Sequence, residues 1–137
     1  MLESASPSLC SLSYACILVP RMPQDSIEGD LAGRLSEWTR QLCLAYGWRL
    51  DRLVLNAGYI EWLISIPPTV SPSTLMRIYR QQSSTRIFTD FPALARENPS
   101  GDFWAPGYLI MTSGQKPSEA LVKDFIQQIR RRQGISK

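Results

Sequence analysis

The segment that most restricts the fold is WRLDRLVLNAGYIEWLISIPP, residues 48–68. Residues 48–55 and 59–66 are two apolar-rich stretches of strand length. Only Asn56-Ala57-Gly58 separates them, and Pro67-Pro68 stops the second. That spacing predicts a β-hairpin. Residues two apart on a strand point the same way, so Tyr59 and Glu61 share a face with Leu63 and Ser65. Two polar-capable groups side by side there are a site, the remains of a site, or a solvated strand face.

Around the hairpin the chain reads strand, helix, strand, strand, helix, strand, helix. SYACILV, residues 13–19, is short and apolar and meets Pro20, which predicts a buried strand. Ile27, Leu31, Leu35, Trp38, Leu42 and Ala45 form one helical stripe that Gly47 is placed to end. Asp25 with Glu28 resembles a capping box at its start. Ser71 followed by Pro72 opens a second helix running to about Asp90. Residues 92–106 read as irregular and 107–113 as a short strand. Ser118 caps a last helix with Leu121, Val122, Phe125, Ile126 and Ile129 on one side. A sheet with helices packed on one face suits this order, hence an α+β class. The expected division is a lead-in over 1–12, one domain over 13–133 and a tail over 134–137.

Composition narrows the chemistry. The chain of 137 residues suits one core, and 44% apolar with 20% charged residues argues against disorder. A net charge of +3 allows a nucleic-acid surface without requiring one. There is no histidine, which excludes histidine acid-base chemistry, histidine metal ligands and every triad containing histidine. Cys10, Cys16 and Cys43 form no CxxC pair. They read as small buried hydrophobes, reduced in a cytoplasmic protein. MLESASPSLCSL has no positive charge ahead of an apolar core, so no signal peptide is expected. No apolar run approaches the ~20 residues that span a bilayer.

Several blocks then resemble a known family. Ser65-Ile66-Pro67-Pro68, SPSTLMRIYRQQSSTRIF (71–88), FWAPGYLIMTSG (103–114) and SEALVKDFIQQ (118–128) are similar to the HUH-type tyrosine transposases of single-strand insertion sequences. That superfamily includes the REP-associated transposases. The resemblance covers roughly 13–130. It implies a ferredoxin-like central antiparallel sheet, assembly as a dimer, and cutting of single-stranded DNA beside short hairpins. It also implies two histidines holding a divalent metal, and a tyrosine on the last helix that attacks the phosphate. Counted from Pro67-Pro68, the histidine pair falls on Tyr59 and Glu61, and the preceding acid on Gly58. The nucleophile falls on Phe125, and the glutamine one turn later on Ile129.

A phenylalanine has no oxygen to attack with, and a metal is needed to offset charge at the scissile phosphate. Tyr59, Glu61 and Phe125 therefore read as degenerate catalytic positions. No cofactor is expected, Mg²⁺ or Mn²⁺ entering only if Glu61 survives as a ligand. Arg77, Arg80 and Arg86 on the second helix, with Ser83, Ser84 and Thr85 among them, are candidate phosphate contacts. So is the basic end Arg130, Arg131, Arg132. Trp104 and Tyr108 read as packing aromatics. The expectation is a cytoplasmic, non-membrane homodimer that binds hairpin or single-stranded DNA without cutting it. A protein-interaction module that has lost nucleic-acid binding is a second reading. An active enzyme using Tyr59 or Tyr108 with Glu61 is a third.

Overall fold

Strand β1 (Leu12–Leu18) leads into helix α1 (Gly29–Tyr46) in the computed structural model, which describes residues 12–112 and 115–135. The hairpin of β2 (Arg49–Asn56) and β3 (Tyr59–Ile66) follows, then α2 (Pro72–Asp90), α3 (Pro92–Glu97), β4 (Leu109–Thr112) and α4 (Glu119–Arg132). Cys10, residues 1–11 of the expected lead-in and residues 136–137 of the tail lie outside the described residues.

The four strands form one sheet in the order β2-β3-β1-β4, with every neighbouring pair antiparallel. This is the ferredoxin-like order. It places β3 between β1 and β2, so Glu61 faces Ile17 on one side and Val54 on the other. The hairpin register slips between Leu50 and Arg52, where Asp51 is an extra residue. Such a bulge re-aims the side chains that follow it.

Helix ends follow local chemistry. Gly47 closes α1 in the left-handed region at φ 73, its N–H donating to Cys43 and Leu44 carbonyls. Ser71 Oγ accepts from the Thr74 N–H at 3.1 Å, with Pro72 in the first turn. Ser118 Oγ accepts from the Leu121 N–H at 3.2 Å. These satisfy donors that a helix start leaves open.

Two local expectations fail. Asp25 and Glu28 form no capping box: Glu28 is the N-cap and its side chain makes no capping bond. Asp25 is instead buried, its Oδ2 unpartnered among the described residues, and burial followed by Glu97 raises its pKa. Residues 92–97 are a short helix rather than irregular, because Pro92 at its first position needs no donor partner.

The core lies between one sheet face and helices α1 and α2. Cys16, Leu18, Ile60, Trp62, Ile64 and Ile66 meet Leu31, Leu35, Leu75, Met76 and Tyr79. Each large apolar side chain buried there contributes ~1.5–3 kcal/mol. No residue of α4 belongs to this cluster. The other sheet face is closed as well: Ala15, Ile17, Glu61 and Leu63 are all buried.

Candidate functional site

The Tyr59 and Glu61 pair is not a solvated strand face. Glu61 is 0% exposed, and neither carboxylate oxygen has a hydrogen-bond partner among the described residues. Its one ionic neighbour among the described residues is Arg52, with Nε 3.6 Å from Oε2. That distance is an ion pair and too long for a hydrogen bond. Tyr59 is half-buried, and its phenol is pushed above its ordinary value by burial, then by Glu61 and Glu119. Those causes keep the proton on the oxygen, the opposite of what a nucleophile needs.

Along α4, Phe125 is half-buried, while Val122 and Ile129 are buried. Arg130 is buried too, and its guanidinium donates to the Arg21 carbonyl at 3.2 Å and to Gln133 at 2.8 Å. Arg131 and Arg132 are exposed.

The arginines of α2 separate into three roles. Arg80 donates to Asp102 through Nε at 3.2 Å and Nη2 at 2.6 Å, and to the Gly107 carbonyl at 3.1 Å. Arg77 is exposed and shares a hollow with Arg80 and Tyr108. Arg86 points toward α1, its guanidinium 6.0 Å from the Trp38 ring centre, at a cleft between the two helices. A neighbouring hollow across the 101–108 loop is lined by Arg21, Gly107 and Arg132. Arg77, Arg80, Arg21 and Arg132 thus gather around one loop, while Arg86 stands apart. Ser83 and Ser84 are structural: Ser83 Oγ accepts from Trp104 Nε1 at 2.8 Å, and Ser84 Oγ accepts from the Phe103 N–H at 2.9 Å.

Sequence reading missed Arg52, Asp102 and Arg21. Arg52 sits on the strand bonded to the Glu61 strand, and the break in the Leu50, Leu53, Leu55 spacing beside it was the available signal. Asp102 receives Arg80 from 22 residues away, a pairing with no local signature.

The chain matches the family model described as "Transposase IS200 like" over residues 8–129, and it belongs to that family. It is 25% identical over 125 residues to the transposase for insertion sequence element IS200 of Salmonella typhimurium, covering 91% of this chain and 81% of that one. The Salmonella typhi transposase for the same element aligns equally. A solved Deinococcus radiodurans protein assigned as a transposase has a TM-score of 0.73 at 20% identity, with 93% of each chain covered. The REP-associated tyrosine transposase bound to a REP hairpin has a TM-score of 0.53 at 10% identity, covering 90% of this chain and 68% of that one. Both likenesses show the same α+β fold.

A divalent metal does not fit the residues of this face. Among the described residues, no three of the His, Cys, Asp and Glu type come together. The single carboxylate, Glu61, faces a guanidinium, and Tyr59 offers a protonated phenol. Hard cations require several oxygen ligands, so no catalytic step is derived through a metal here.

Proposed function

We propose that this member of the family binds hairpin or single-stranded DNA, as a dimer, without cutting it and without a metal. What carries this is the combination at the catalytic positions. Phe125 stands where the family resemblance puts the nucleophile, and Glu61 stands in an ion pair where it puts a metal ligand. Support for the DNA partner comes from family membership and from the neighbour that is bound to a REP hairpin. The exposed Arg77 and Arg132, on either side of the 101–108 loop, offer phosphate contacts.

The protein-interaction module draws on a different observation. Arg80 and Arg130 spend their donors on the fold and Arg86 stands apart, which thins the basic surface. A gel assay with labelled hairpin and single-stranded DNA at low salt, with Mg²⁺ or Mn²⁺, separates the readings. A shifted, uncut band is expected. A cut band or covalent adduct refutes the loss of catalysis, and an unshifted band turns the assignment to the interaction module.

A further inference from the structure

Glu61 lies mid-sheet, between Ile17 and Val54, with its carboxylate fully shielded and neither oxygen hydrogen-bonded among the described residues. A carboxylate so shielded is stabilised by a cation close by. Arg52 supplies it. The bulge at Asp51 is what brings Arg52 onto this face of the sheet, opposite Leu63 and diagonal to Glu61. The Arg52 side chain is 43% exposed. Its Nε edge meets Glu61, and its guanidinium has no other hydrogen bond or ion pair among the described residues. Its N–H groups make no hydrogen bond among the described residues.

We infer that Arg52, anchored by Glu61, is the built-in cation of this face and takes a DNA phosphate with no divalent ion. The inference rests on the DNA-binding reading above and adds where and how a phosphate is held. A guanidinium presents five donors in a planar fork that matches a phosphate, and at 3.6 Å Glu61 holds it by charge without using a donor. An anchored side chain loses less freedom on binding than a loose one. The same positive charge repels a divalent cation from Glu61.

Fluorescence anisotropy with a labelled hairpin oligonucleotide at low salt, in EDTA and then in Mg²⁺, tests this. The wild-type chain is expected to bind equally in both, and R52Q to bind roughly tenfold more weakly, the worth of one charge-assisted contact. R52Q strands the Glu61 carboxylate and can unfold the chain. R52Q/E61Q therefore carries the same test with both charges removed, its fold checked by circular dichroism. Binding that needs Mg²⁺, or a folded double variant that binds like wild type, overturns the role of Arg52 and leaves the DNA reading standing. A wild-type chain that binds in neither condition removes the DNA reading, and the phosphate role of Arg52 with it.

Discussion

Arg80 on α2 and Asp102 in the loop before β4 meet at 2.6 Å, with both side chains mostly withdrawn from solvent. Asp102 also accepts from the Trp104 N–H at 3.0 Å and from Ser84 Oγ at 3.3 Å. The pair therefore joins the helix to the loop that carries Trp104, which is fully buried. Replacing Arg80 by Ala leaves Asp102 short of its charged partner. A loss of ~1–3 kcal/mol in unfolding free energy is expected, read by urea titration. Lys is expected to recover only part of it, because one ammonium cannot reach both Asp102 and the Gly107 carbonyl as a fork does. An unchanged midpoint for Arg80→Ala contradicts this role.

Arg77 and Arg132 are exposed, so their replacement by Ala is expected to leave stability within about 0.5 kcal/mol. DNA affinity is where they matter. Each change should lower the slope of log affinity against log salt by about one, measured on a hairpin oligonucleotide. Slopes identical to wild type for both variants would place the DNA elsewhere.

Phe125→Tyr restores the missing hydroxyl on α4 and nothing else. With Arg52 still paired to Glu61 and no metal-ligand cluster among the described residues, the variant is expected neither to nick single-stranded DNA nor to form a covalent adduct in Mn²⁺. Denaturing gels of the reaction decide it; an adduct band refutes the account of this face.

Alkaline pH should weaken the fold through groups that stay protonated only when folded. Burial pushes the Cys43 thiol up to about 11 and raises Cys16 and Tyr79 as well. In the unfolded chain a thiol ionises near its ordinary value of 9.0. Above that pH the folded state holds more protons than the unfolded one, so the stability these groups contribute is intact below pH 9 and declines as pH rises toward 11. Thermal melts from pH 8 to pH 11 should show a falling midpoint, and Cys43→Ala a shallower fall. A flat profile contradicts the burial of these groups.

Local signals made much of the fold readable. Ser71-Pro72, Ser118 and Gly47 mark helix ends through bonds to residues three or four away, and the structure has those bonds. The hairpin was readable because its turn and its strands are contiguous. The state of Glu61 was not. Its burial depends on β1, which reaches β3 only through sheet pairing 44 residues apart, Ile17 against Glu61. The commitment of Arg80 was hidden for the same reason. One trace of the Arg52 contact did exist: Leu50, Leu53 and Leu55 break strict alternation, three positions and then two, and the break falls at the bulge.

That extra residue makes the charge pattern of the hairpin a matter of parity. Leu50 and Leu53 reach the core side together, and Arg49 and Arg52 the other side, only because Asp51 is skipped in the pairing. Losing the codon for Asp51 would leave both assignments in phase. Losing the codon for Arg52 would bring Asp51 opposite Leu63, setting one acid beside another where an arginine now answers Glu61.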